Sequence, residues 1–275
     1  MNAKLNKIVS AQKLGVAWLE TRTEKDMKLF KKLVKTTHDI IDVAFSEKVI
    51  EPGKTTTEDV VWFLRQTVTD MGLETWFHPT IDVQRNKEVL KSHIESFSKG
   101  KEEQIIQKGD LLHVDIGVTF ARFNTDQQQH AYVLKAGETQ VPEGLQKALK
   151  TGNRLQDILM SNFKIGLSGN IVLKNSREQA INEGIKPSIY THPLGFYGHA
   201  SGPTIGMWDN QGDTKGAGDY PVFANTGYSI ELNVSVQIPE WNNKEIRIML
   251  EEDAFFDGKS VRFYDGRQED IILID

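Results

Sequence analysis

Cysteine is absent from all 275 residues. That removes disulfides, cysteine nucleophiles, iron–sulfur clusters and thiolate zinc sites together. Long apolar runs are missing too, and no stretch approaches the roughly 18 residues that a membrane helix needs. The opening segment, MNAKLNKIVSAQKLGVAWLE, holds no unbroken apolar run of the secretory kind, so the cytoplasm is the expected compartment. A basic excess is also lacking. Lys and Arg number 33 against 38 Asp and Glu, a formal net charge of −5, which points away from nucleic acid and anionic membranes as partners. The hydrophobic fraction of 39% and mean hydropathy of −0.42 describe a globular chain that can bury a core without covalent staples. Chemistry is left to carboxylates, seven histidines, hydroxyls, lysines and arginines.

The apolar pattern is helical first. Met27, Phe30, Leu33, Val34, His38, Ile41 and Ala44 recur at three- and four-residue steps, predicting a helix over 24–46. Glu51-Pro52-Gly53 breaks the chain, and Thr56-Thr57-Glu58-Asp59 reads as the start of a second helix running to Gly72. Strand-like runs follow at Trp76–Pro79, Leu111–Thr119 and Asn124–Leu134, with a lysine- and glutamate-rich surface excursion over 86–108. Glu143–Met160 is helical in pattern, and Ser176–Glu183 suggests another helix. Residues 192–219 are glycine-rich and aperiodic, yet carry His192, His199, Trp208 and several aspartates, as a functional loop does. From Tyr228 the pattern is strand again. Helices followed by a hairpin occur once in each half, so an α+β fold with pseudo-duplicated halves is expected.

Two hairpins carry paired acids. Asp115 lies in LLHVDIGVTF and Asp126 in NTDQQQHAYVL. A turn centred between Phe120 and Ala121 sets the two opposite each other. Sliding the ladder by one residue pair makes them diagonal, and a loop of two or four residues keeps both on one face. In YSIELNVSVQIPEWNNKEIRIMLEEDAFF the turn formers are Asn242-Asn243. A two- or four-residue loop there puts Glu231 and Glu252 on a common face. Glu251 has the other parity and requires an odd loop, so Glu252 is the expected partner. Acids facing each other across apolar strands repel and ask for a cation. An oxygen-rich set with one imidazole suits Mn²⁺, Co²⁺, Fe²⁺ or Zn²⁺, and four carboxylates balance two divalent ions.

Between the hairpins stands IYTHPLGFYGHASGPTIGMWD, with His192 and His199 seven residues apart. The ordered set Asp115, Asp126, His192, Glu231, Glu252, with Gly109-Asp110 before the first strand and Arg247 before the last acid, resembles the M24 metallopeptidase family. That family comprises the pita-bread enzymes: methionine aminopeptidases, aminopeptidase P, prolidase and creatinase. The resemblance covers roughly residues 30–260. Thr191 and Pro193 stand where the family motif GHGIG has glycines, and Ser229-Ile230-Glu231-Leu232 lacks the proline of the TIEP-like segment, which turns the likeness away from the methionine aminopeptidases.

The resemblance implies a pita-bread fold at 30–275, with a curved antiparallel sheet and outer helices, behind an N-terminal helical extension at 1–29. It implies two divalent ions, manganese first and cobalt, zinc or iron next, bridged by Asp126 and Glu252. Asp115 would complete one shell, and His192 with Glu231 the other. Glu231 would also be the general base, His199 would stabilise the oxyanion and His93, preferred over His78, would assist at the scissile amide. Phe196, Tyr197 and Trp208 are candidate pocket walls. The implied activity is metallo-aminopeptidase cleavage of Xaa-Pro peptides, with a peptide as the partner and a homodimer left open. The alternatives are creatinase-like C–N hydrolysis of a small non-peptide substrate and a non-catalytic pita-bread binding module.

Overall fold

In the computed structural model, which describes residues 9–86 and 103–275, the helices begin where side chains can cap them. After α1 (Gln12–Glu20), α2 (Glu24–Ala44) opens on a reciprocal capping box. Thr23 Oγ1 accepts the Asp26 N–H at 3.2 Å and Asp26 accepts the Thr23 N–H at 2.8 Å. The boundary expected at 29/30 therefore falls inside a continuous helix. Thr56 and Asp59 repeat the device at 3.1 and 2.9 Å to start α3 (Thr57–Asp70). Then come β1 (Glu74–Thr75), β2 (Thr80–Gln84), β3 (Leu111–Ile116), β4 (Val118–Phe120), β5 (Phe123–Asn124) and β6 (Gln127–Val133).

The second half opens with α4 (Glu143–Ser161) and α5 (Gly169–Asn182). It continues with β7 (Pro187–Ile189), β8 (His192–Leu194), β9 (Thr226–Ser229), β10 (Leu232–Ile238), β11 (Lys244–Leu250), β12 (Asp253–Phe256), β13 (Val261–Phe263) and β14 (Ile272–Ile274). Helix α5 starts well before the expected Ser176. Ser168 caps it, and glycine stands at its first position because a Cβ there would lie 2.2 Å from the Thr204 carbonyl oxygen.

Two apolar cores form, one per half. Phe30, Leu33, Ile40 and Ile41 of α2 and Val60, Val61 and Leu64 of α3 pack with Leu112, Val114 and Ile116 of β3. Leu145, Leu149, Leu155 and Ile158 of α4 pack with Val234 of β10 and Ile246, Ile248 and Leu250 of β11. Burying each such side chain contributes about 1.5–3 kcal/mol, so the helices are held by the sheets rather than by propensity alone.

The first half carries the sheet β14-β6-β3-β2, antiparallel except for β14 beside β6. The second half carries β11-β10-β7 and β13-β12-β9-β8, both antiparallel. A small sheet, β1-β4-β5, flanks the first.

The halves meet along β6 and β11. Gln128 N–H donates to the Glu251 carbonyl at 3.0 Å, and the Met249 N–H donates to His130 Nε2 at 3.0 Å. Gln84 adds a side-chain imitation of strand pairing, donating to the Arg247 carbonyl at 2.7 Å and accepting the Arg247 N–H at 3.0 Å. Among the described residues no helix is long and apolar enough to cross a membrane.

Candidate metal centre

The first hairpin turns at Ala121-Arg122, both with positive φ (49° and 72°), a two-residue connection that sets Phe120 against Phe123. Its register places Asp115 opposite Gln128 rather than Asp126. The two aspartates are thus diagonal neighbours on one face, the slid arrangement foreseen for an even loop.

The second hairpin differs from expectation. β10 and β11 pair from Leu232↔Leu250 to Ile238↔Lys244, leaving the five residues 239–243 as the connection. A short 3₁₀ turn, Pro239–Trp241, precedes Asn242 and Asn243, both left-handed (φ 56° and 57°). The loop is odd, so the register continues to put Glu251, not Glu252, on the face of Glu231. Asn-Asn was read as the whole turn, whereas it is the end of a longer one.

Asp115, Asp126 and Glu251 converge, as do His192, Glu231 and Glu251, the ligand atoms of each set lying within 4.8 Å of one another. Asp126, His192 and His199 form a third such set. Glu251 and Asp126 each belong to two sets. Glu252 points the other way. Its carboxylate accepts from His38 Nε2 at 2.8 Å, from Gln129 Nε2 at 3.2 Å and from the Gln268 N–H at 3.1 Å. The metal-ligand assignment of Glu252 is therefore corrected to Glu251.

His192 reports what the cluster is built to hold. Its Nδ1–H donates to the Pro193 carbonyl at 3.1 Å, leaving a lone pair on Nε2. That buried Nε2 has no hydrogen-bond partner and faces Asp126 at 3.6 Å, Glu251 at 3.6 Å and Glu231 at 3.9 Å. A lone pair aimed at three carboxylates is repulsive without a cation among them.

The acids agree. Burial, and then the charges of Glu251, Asp115, Glu231 and Asp253, hold the Asp126 carboxyl well above its usual range. Burial, Glu251 and Asp115 do the same to Glu231, against a hydrogen bond from Gln128. A divalent ion reverses this balance by favouring the ionised forms. Behind them, Asp253 accepts the Asp126 N–H at 3.2 and 3.3 Å, and the Ser229 hydroxyl donates to Glu251.

The ring of His199 lies 4.5 Å from that of His192, with Trp76 at 5.5 Å and Tyr190 at 5.8 Å. Desolvation, and then His192, lower its pKa to about 4, so it is neutral near pH 7. Trp76 donates its indole N–H to the Thr125 carbonyl at 2.8 Å and packs against Gly117 and Gly198, where a Cβ would approach to 1.9 and 2.3 Å. The run Trp76–Pro79, read as a strand, is the link between β1 and β2 and supplies this wall.

The other aromatics expected as walls lie elsewhere. Phe196 packs on Phe123 and under Arg22, Tyr197 is exposed, and Trp208 is half-buried. His78 bonds Arg65 at 2.7 Å. His93 lies outside the described residues. Sequence reasoning passed over Glu251, Trp76, Tyr190 and Gln128. For Gln128 the signal was present, as it shares the alternation of Asp126 in DQQQH.

Two α+β halves with acids and a histidine gathered at their seam define a pita-bread hydrolase scaffold. The model of Metallopeptidase family M24 matches residues 28–265, and the chain belongs to that family. No curated protein sequence matches it. Solved structures share its fold at low identity. The X-Pro aminopeptidase from Thermotoga maritima MSB8 aligns with a TM-score of 0.71 at 16% identity, over 94% of this chain and 66% of that one. The prolidase from Pyrococcus furiosus aligns with 0.67 at 14%, over 93% and 68%. The methionine aminopeptidase from Rickettsia prowazekii aligns with 0.63 at 12%, over 90% and 99%. The chain thus spans about two thirds of the first two and nearly the whole of the third.

Proposed function

We propose that the protein is a dinuclear metal-dependent aminopeptidase that removes the N-terminal residue from peptides, with Xaa-Pro peptides as its substrate class. The observation that carries this reading is the buried, unbonded Nε2 of His192 facing three carboxylates. Asp115, Asp126 and Glu251 would hold one ion, and His192, Glu231 and Glu251 the other, with Asp126 and Glu251 shared. Two divalent ions bound there would acidify a shared water and polarise the scissile carbonyl.

The chain's own groups do the rest. Glu231 takes the proton of the attacking water and delivers it to the departing amine. Neutral His199 donates a hydrogen bond to the developing oxyanion. Trp76 and Tyr190 wall this side of the cleft and limit water around the reacting amide. The Xaa-Pro preference is supported by the Thr191–Gly195 segment, THPLG, and by the fold shared with an X-Pro aminopeptidase and a prolidase.

The test is metal content followed by a peptide panel. After loading with Mn²⁺ and desalting, elemental analysis should return close to two ions per chain. Xaa-Pro peptides should then be cleaved at least tenfold faster than matched peptides without proline. A chain that retains no metal overturns the dinuclear reading. Two ions with no proline preference overturn only the substrate class.

A further inference from the structure

The face of the β2–β3–β6 sheet that carries the acids also carries a second polar row. Across the three strands, Asp82 pairs in register with His113, and His113 with His130. Gln128 lies two residues from His130, on the same face and opposite Asp115. Its carboxamide is bonded at both ends. Nε2 donates to Glu231 Oε1 at 3.1 Å and to Glu251 Oε2 at 2.6 Å. Oε1 meets His113 Nε2 at 2.9 Å. An amide has two N–H hydrogens, one for each carboxylate, and its oxygen can only accept, so His113 must carry its proton on Nε2. The other ring nitrogen, Nδ1, faces Asp82 Oδ2 at 3.4 Å.

The choice of oxygens matters. Gln128 takes Oε1 of Glu231 and Oε2 of Glu251, while Glu231 Oε2 and Glu251 Oε1 are the atoms that face His192 Nε2. One amide thus fixes the rotation of two carboxylates so that each turns its second oxygen inward. With the amide reversed, its oxygen would confront both acids, and His113 Nε2–H is what forbids the reversal.

We propose that Gln128, oriented by the His113–Asp82 pair, is a positioning residue that aligns Glu231 and Glu251 for divalent-ion binding. The inference rests on the metal reading above and assigns parts to three residues outside the ligand set. Metal ligands held this way by outer hydrogen bonds typically lose 10–100-fold in affinity when the outer partner is removed.

The experiment is Mn²⁺ titration of the full chain by calorimetry, with near-ultraviolet circular dichroism to verify the fold. Gln128→Leu should weaken Mn²⁺ binding at least tenfold and lower kcat, while KM changes less than threefold. His113→Leu should show the same pattern. His113→Gln, which can present an N–H near the position of Nε2, should recover Mn²⁺ affinity to within threefold of wild type. Wild-type Mn²⁺ affinity in a folded Gln128→Leu overturns the proposal and leaves the metal reading standing. Should Gln128→Leu fail to fold, the His113 pair decides, and equal weakening in His113→Gln and His113→Leu overturns the proposal. No Mn²⁺ binding by the wild-type chain overturns both.

Discussion

Successive side chains of an extended strand leave opposite faces, so Glu251 and Glu252 cannot serve one centre. Glu251 joins Asp115, Asp126, His192 and Glu231, while Glu252 joins His38 on the far side. Glu251→Gln should remove one of the two bound ions and lower peptide cleavage by at least a thousandfold. Glu252→Gln should retain both ions, and metal analysis of the two variants separates the roles. Burial of the His38 ring opposes its protonation, but the Glu252 hydrogen bond and charge, followed by those of Asp265, outweigh it and raise its pKa to about 9. A histidine whose pKa is raised above its unfolded value stabilises the fold fully below that unfolded value, near 6.5. The contribution is lost as pH rises through about 9. His38→Gln should therefore cost on the order of 2 kcal/mol at pH 6. In denaturant unfolding followed across pH, the gap to wild type should close by pH 10.

Among the elements, the hairpins decide which acids meet, and here the reach of sequence reasoning can be measured. The capped starts of α2 and α3 were legible because Thr-x-x-Asp satisfies helix N–H groups locally. The Asp115–Asp126 face was legible because any even loop preserves it. The Glu231 partner was not, since its identity hangs on loop parity, and that parity depends on Trp241 burying its ring while the chain makes an extra 3₁₀ turn. That is a tertiary fact, absent from local turn preferences. The start of α5 was hidden for a similar reason, because its leading glycine answers to the Thr204 carbonyl across space. Left-handed Asn242 and Asn243 then hold the register that brings Glu251 in. Valine there should cost about 1–2 kcal/mol per position, read from denaturant unfolding. Glycine should be tolerated, since it adopts positive φ without the Cβ clash.

At the scale of the molecule, the ligands belong to different halves. Asp115 and Asp126 come from the sheet under α2 and α3, and His192, Glu231 and Glu251 from the sheets packed with α4 and α5. Without cations the seam is held by the hydrogen bonds of Gln84, Gln128 and His130, against mutual repulsion of the buried acids. His130 suits that position. Complete burial and then His113 lower its pKa to about 3, so it stays neutral while Nδ1–H donates to the Leu112 carbonyl and Nε2 accepts from Met249. Divalent ions convert the repulsion into attraction across the same seam. Binding to the folded state alone stabilises it by about 2.7 kcal/mol at a free ion concentration one hundred times Kd. Titrating Mn²⁺ should therefore raise the thermal unfolding midpoint progressively, and a chelator should return it to the metal-free value. Because each ion would bridge both halves, they should unfold in a single transition when loaded. The same titration of Glu251→Gln, which lacks a shared ligand, should raise the midpoint by less than half as much. An equal rise in both proteins would mean that the ions bind elsewhere than at the seam.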